Sequence, residues 1–467
     1  MKRSSSTSEG GGNRLFSGVF ARGDVARCVS DEAWLEAMLD VEGALARALA
    51  RAQLATPDAA AAITAAARAA DLDVARIGAA SASTGSPVVA LVEALRAAVS
   101  SDAAATVHRG ATSQDVLDTA MMLIAKRAGA ILLNDLAAAA DAAALLVERH
   151  RGAVMVGRTL LQQAVPVTFG LKAAGWLTAL DAARTRLADL VRARLPIQFG
   201  GASGTLASLG DRGVDVAALL AEELGLAMPV VPWHTLRLTV FELASALAGV
   251  SLVLGKTARD VTLLAQSEVA EVSEAGDAAR GGSSTMPQKR NPVAAVAILG
   301  CARRVPGLLA TLAAAGEQEH ERAAGAWHAE WEPFADLVRL TGSAAAWSRE
   351  LLEGLKVDPA RMRTNLEAAG GIPLAEHLSA LLAPTMGPPA LDLVKEAVAR
   401  ARRSGRPLLD ALFDHPATAT ALANANLDRT KVTRALEPES YLGSTQTWID
   451  RALAAHGALR ARERVTP

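Results

Sequence analysis

Aromatic residues make up only 3% of this 467-residue chain, against 51% hydrophobic residues overall. The apolar content is therefore mostly Ala, Leu and Val; Ala and Leu are strong helix formers, and the strand-favouring aromatics are scarce. The composition predicts an all-α protein whose small side chains let helices pack closely. Cysteine is nearly absent. Cys28 and Cys301 stand apart with no C-x-x-C motif, which argues against a disulfide framework or a structural zinc site and makes the cytoplasm the expected compartment. Neither sign of charge dominates: 48 basic and 49 acidic residues leave a net charge of −1, so no basic face for nucleic acid is implied. The longest uncharged runs, such as 243–255 and 159–171, fall short of the roughly 18–20 residues of a membrane span, so no membrane segment is expected. Met1 to Asn13 are Ser/Gly-rich and lack the apolar stretch of a signal peptide, and are expected to form a disordered tail. So apolar a chain, with no membrane to enter, is expected to bury helices against partner subunits.

The length suggests about three domains, and the pattern divides accordingly into 14–105, 106–354 and 355–467. Ser30 and Asp31 are helix-capping types, followed at helical spacing by Trp34, Leu35, Met38, Leu39, Leu45 and Leu49. The helical pattern breaks around 81–87. A long apolar-periodic segment runs from Val116 to about Arg149, and another from Glu242 to Glu274. A helix is predicted from Val293 to Gly316, and short amphipathic helices fill the region after a break near 354–359.

Against this background a few polar stretches stand out. Residues 281–292, Gly-Gly-Ser-Ser-Thr-Met-Pro-Gln-Lys-Arg-Asn-Pro, lie between helix-forming regions and favour no helix interior. A polar, glycine-flanked loop suits a lid that moves and then holds charge, although an ordinary interhelical loop has the same composition. His108 to Asp115 ends in Thr112, Ser113, Gln114 and Asp115 just before a long helix. Hydroxyls and free N–H donors at a helix start suit a carboxylate, and simple capping is the alternative. Arg158 is a candidate carboxylate clamp, because a guanidinium meets both oxygens at once. The glycine cluster at 200–205 has no preceding strand, so a nucleotide-binding reading is weak. His234, taken alone, reads more readily as a structural histidine than as a catalyst. His and Glu recur between 319 and 331, but without H-E-x-x-H spacing, and no metal is expected.

The 281–292 stretch resembles the signature loop of the fumarase/aspartase superfamily, G-S-S-x-M-P-x-K-x-N-P, at every fixed position. Further blocks agree: His108–Asp115 resembles H-x-G-x-T-S-x-D, 200–205 resembles G-G-A-x-G-T, and the start and end of the chain are similar to bacterial 3-carboxy-cis,cis-muconate cycloisomerases within that superfamily. The resemblance implies a three-domain, all-α fold with a central long-helix bundle, assembled as a homotetramer whose active sites draw on several subunits. It implies cofactor-independent lactonisation of a carboxymuconate, in the protocatechuate branch of aromatic degradation. Ser283 would be the base, with Lys289 and Asn291 stabilising the developing charge. Substrate contacts are implied at His108, Thr112, Ser113, Gln114, Arg158, Thr159, His234, Arg237, Ser284, Met286 and Arg322, for a small di- or tricarboxylate. Whether Ser283 or Ser284 faces the proton stays open.

Three departures matter. Leu160 stands where fumarate-forming members carry a histidine acid, which fits a leaving group that needs no proton. Arg109 replaces a tryptophan usual in the cycloisomerases, and Leu236 and Leu238 replace Gln and Asp around Arg237. These keep open another lyase acting on a succinate derivative, of adenylosuccinate, argininosuccinate or nitrosuccinate type. A non-catalytic structural homologue is the remaining alternative.

Overall fold

The computed structural model describes residues 14–275, 281–282 and 285–465. Among them are nineteen α-helices and only four short strands, as a chain rich in Ala and Leu and poor in aromatics requires. Eight helices bear on function and are labelled here: α1 (Asp31–Arg51), α2 (Ser113–Arg149), α3 (Phe169–Ala193), α4 (Leu238–Leu264), α5 (Val293–Ala314), α6 (Ala326–Glu353), α7 (Pro359–Glu367) and α8 (Thr445–Val465). Their starts are fixed locally. Ser30 Oγ accepts from the Ala33 N–H at 3.2 Å to open α1, and Asp358 caps α7 through the Arg361 N–H at 2.9 Å, satisfying donors that a helix cannot satisfy internally.

The chain divides into two compact units. One holds residues up to 137 together with 182–258 and 295–349; the other holds 138–181, 259–294 and 350 onward. In the first, the apolar face of α1 (Ala44, Leu45, Ala48, Leu49) buries against Ile197, Phe199, Val216 and Leu220. In the second, the helices after residue 374 close around Leu378, Leu382, Val394, Leu408 and Leu422. The long helices α2 to α6 each run through part of both units.

Three expectations need correction. No strand is legible around residue 160, yet β1 (Val154–Thr159) and β2 (Gln162–Thr168) form an antiparallel hairpin with an irregularity between Val156 and Arg158. Second, α4 ends at Leu264 and not near residue 274. The chain turns there because Val272 and Ser273 (β3) pair with Val357 and Lys356 (β4), and because Glu271 is claimed by Arg158, as described below. Third, α2, α4 and α5 are long and apolar enough to cross a membrane by length and composition. The uncharged runs are short, but these helices carry their few charges far enough apart to reach that length. Only 33–50% of their most apolar windows is buried within the chain.

Candidate active site

Helix α2 starts with a side-chain cap: the Thr112 N–H donates to Asp115 Oδ2 at 3.0 Å, three residues further on. Asp115 is 1% exposed, and four further donors converge on its carboxylate. The Gly200 and Gly201 N–H groups lie at 3.0 and 2.8 Å, Gln198 Nε2 at 3.2 Å and His234 Nε2 at 2.7 Å. Glycine is obligatory at 200, since a Cβ there would sit 2.7 Å from Pro232 and 2.8 Å from His234. The glycine cluster therefore closes backbone onto Asp115. With Asp115 spending its acceptors on the frame, the Thr112 and Ser113 hydroxyls, both half-buried, have no partner among the described residues. Two free hydroxyls at the positive end of a 37-residue helix make a corner with the donors and potential to suit an anion.

Arg322 faces the same corner. Its Nη1 donates to Gln114 Oε1 at 3.0 Å, and its Nη2 donates to the Gly201 and Ala202 carbonyls at 3.1 and 2.7 Å. No carboxylate among the described residues pairs with it, so its charge is held in place but not neutralised. Arg237 is the opposite case. Its side chain is 1% exposed and bonded to both oxygens of Asp118, at 2.6 and 3.1 Å, and to Glu330. Burial opposes the charge of Arg237, but these two carboxylates hold its guanidinium above its usual range. Burial likewise pushes the Glu330 carboxyl up against the pull of Arg237. Arg237 thus has no free face for a substrate and acts as the keystone of a buried network. Gln114, 1% exposed, links that network to Arg322 by donating to Asp118 Oδ2 at 3.1 Å, and Trp327 Nε1 donates to Asp118 Oδ1 at 3.0 Å. His234 is also internal, 4% exposed. Of the residues expected here to touch a ligand, the structure leaves Thr112, Ser113, Arg322 and His108 available and gives Gln114, His234 and Arg237 to the supporting frame. Arg109 is exposed and turned to the Leu54 carbonyl, so it adds no cation to the corner.

In the second unit, the β1–β2 hairpin carries Arg158 and Thr159. Arg158 donates to both oxygens of Glu271 at 2.9 and 2.8 Å, and Glu271, with its side chain fully buried, also accepts from Asn365 Nδ2 on α7 at 2.9 Å. Its partner in this structure is therefore a protein carboxylate. Thr159 is exposed beside the turn. The signature loop is pinned at its base. The Asn291 N–H donates to the Gly281 carbonyl at 2.8 Å, and Gly282 bridges to Arg290. Gly281 has φ +71°, and a Cβ there would meet the Asn291 carbonyl at 2.4 Å. Met286, Lys289 and Asn291 are exposed on the loop; Ser283 and Ser284 lie outside the described residues. Behind it, Glu274 accepts from the Ala294 N–H at 3.0 Å at the start of α5.

Glu42, Asp118, Glu271 and Glu330 carry the frame, and sequence reasoning assigned them no part in it. The signal for Glu42 was present: it interrupts the apolar spacing of α1 between Met38 and Leu45.

A family model described as Lyase matches residues 24–307, more than half of the chain. The chain belongs to the fumarase/aspartase superfamily. A relative in this superfamily, the 3-carboxy-cis,cis-muconate cycloisomerase of Pseudomonas aeruginosa, is 46% identical over 451 residues, covering 96% of this chain and 97% of its own. The nitrosuccinate lyase of Streptomyces davaonensis is 45% identical over 451 residues, 94% of each chain. The crystal structure of the 3-carboxy-cis,cis-muconate lactonizing enzyme of Pseudomonas putida matches with a TM-score of 0.88 and 42% identity, covering 96% of this chain and all of that one. The protein is an enzyme of this superfamily, all-α in fold.

Proposed function

We propose that this enzyme interconverts 3-carboxy-cis,cis-muconate and its carboxymuconolactone. The observation that carries the reading is the near-full-length similarity to proteins named as cycloisomerases, with which one residue of the site agrees, Leu160. It occupies the hairpin turn where fumarate-forming relatives carry a proton donor, and an apolar side chain transfers none. A carboxylate leaving group departs stable at neutral pH and needs no acid. The relatives named as cycloisomerases support the same substrate, and the corner at α2 suits a polycarboxylate.

In the elimination direction, Ser283 takes the proton alpha to a carboxylate. The C–O bond of the lactone breaks, a C=C bond forms, and the ring carboxylate leaves with the bonding electrons. Negative charge grows on the carboxylate beside the acidic carbon, where Lys289 and Asn291 stabilise it more in the transition state than in the ground state. Thr112, Ser113, His108 and Arg322 hold a carboxylate of the substrate. The substrate's own carboxylate is the electron sink, so the chemistry draws on no cofactor.

The exposed apolar surface of α2, α4 and α5, including Leu252 at 74% exposed and Val296 at 55%, supports a homotetramer in which these helices face other copies of the chain. In such an assembly each active site draws residues from more than one subunit, as the resemblance to the superfamily implies. A cytoplasmic location and three domains, 14–105, 106–354 and 355–467, belong to the same reading.

Ser283→Ala is expected to lower turnover by about two orders of magnitude with the fold unchanged; near-normal turnover would refute the base. A second reading, release of nitrite from a succinate derivative, also needs no acid at Leu160 and matches the 45%-identical nitrosuccinate lyase. Leu236 and Leu238, exposed where the cycloisomerases carry polar residues, keep it open. Following carboxymuconate absorbance in parallel with fumarate and nitrite release decides between the two.

A further inference from the structure

The face that α1 turns inward is apolar at Leu35, Met38, Leu45 and Leu49, each buried, and Glu42 lies among them with its side chain fully buried. A buried carboxylate is costly unless paired, yet no lysine or arginine among the described residues meets it. Both of its oxygens are taken by one residue: the His108 N–H donates to Oε2 at 3.0 Å and His108 Nδ1 lies 2.6 Å from Oε1. His108 sits at φ +61°, a left-handed conformation that costs on the order of 1 kcal/mol or more and persists only where surrounding structure enforces it. A carboxylate only accepts, so the shared proton belongs to Nδ1. Nε2 is the ring atom left over. It has no partner among the described residues, and the side chain is 16% exposed, four residues before the free hydroxyl of Thr112. Other charges nearby point elsewhere, with Arg96 donating to the Val107 carbonyl at 3.2 Å and Arg109 to the Leu54 carbonyl.

We propose that Glu42 is a positioning residue for the reaction: it fixes His108 as the Nδ1–H tautomer and presents Nε2 to a substrate carboxylate. The proposal rests on the proposed function for its substrate, but the proton placement stands apart from it. Once a carboxylate arrives, the ring lies between two anions and carries a proton on each nitrogen. Nε2–H then donates to the substrate beside Thr112, Ser113 and Arg322, and Glu42 compensates the imidazolium.

The test uses the full-length enzyme labelled with [15N]histidine, whose eight histidines give a tractable nitrogen spectrum. The His108 resonances are those lost in His108→Gln. The free enzyme is expected to carry its proton on Nδ1 with Nε2 bare, and added tricarballylate, a stable tricarboxylate, is expected to protonate both. In Glu42→Gln the amide's NH2 faces Nδ1 and its oxygen the backbone N–H, so the ring proton moves to Nε2. A wild-type ring protonated on Nε2, or no response to tricarballylate, overturns the proposal whatever the enzyme turns over. With carboxymuconate, kcat/KM of Glu42→Gln is expected to fall about 10- to 100-fold, the range for a lost hydrogen bond to a charged group, without loss of the thermal transition. A flipped tautomer with kcat/KM within about twofold of wild type would remove the positioning role. Absence of turnover in the wild type, with the tautomer and the tricarballylate response as expected, would instead fault the substrate reading alone.

Discussion

Arg237 and Arg322 put the same guanidinium to different uses, and the difference is testable residue by residue. Arg237→Met would leave Asp118 and Glu330 buried side by side without a cation, which costs about 3–5 kcal/mol. Its melting temperature should drop sharply, and a variant as stable as wild type would show that the network contributes nothing. Arg322→Met removes a charge that is held only by an amide and two carbonyls. It should melt close to wild type while kcat/KM falls about tenfold or more, as for a lost charged hydrogen bond. Equal loss of stability in the two variants would contradict the division of labour between them. The sequence grouped both arginines as substrate contacts because a motif records residue type and spacing, and neither says which carboxylate a guanidinium meets. Only the fold shows that Asp118, one turn past Gln114, claims Arg237 first. Thr112 and Ser113 were legible as hydroxyls at a helix start, because that placement is set by the helix itself.

Elements inherit their behaviour from such local choices. The β1–β2 turn places Leu160 and Leu161 at φ +50° and +64° and leaves them 97% and 77% exposed. Two positive dihedrals are what a two-residue hairpin turn needs, and Asn-Gly meets the need far better than Leu-Leu. Replacing the pair with Asn-Gly should raise the melting temperature by roughly 1–2 °C while, on the proposed place of Leu160 at the leaving group, lowering turnover. Unchanged turnover would make the tip a bystander. This hairpin was hidden in the sequence because its strands are short and its turn lacks glycine, whereas α1, α2 and α5 were legible within a few residues from apolar spacing and caps. The docking of α8 is a second case. His456 Nδ1 lies 2.9 Å from Asp181 on α3, and Nε2 lies 3.1 Å from Asp141 on α2, with Arg460 also on Asp141. The bond to Asp181 outweighs burial and raises the imidazole above its usual value. A raised folded-state pKa stabilises fully below the unfolded value near 6.5 and is lost as pH rises through the folded one. The melting temperature of wild type minus that of His456→Asn should therefore be largest near pH 5–6 and shrink towards pH 9. A difference that grew with pH would reverse the assignment.

For the whole molecule, the decisive question is whether one chain holds a complete site. Helices α2, α4 and α5 leave at least half of their most apolar windows unburied within the chain. Helices this apolar need either lipid or other protein. In the proposed tetramer they meet other copies, and each site takes its corner from one subunit and its base from another. Alone, Arg322→Met is expected to keep about a tenth or less of wild-type activity and Ser283→Ala about a hundredth. Unfolded together and reassembled at equal ratio, they form mixed tetramers. About one site in four then combines an intact corner with an intact loop, by random draw from two independent subunits. Turnover of the mixture should rise to about a quarter of wild type. If corner and loop came from the same chain, every site would keep one lesion and mixing would restore nothing, so activity that stays at the level of the two parents overturns shared sites.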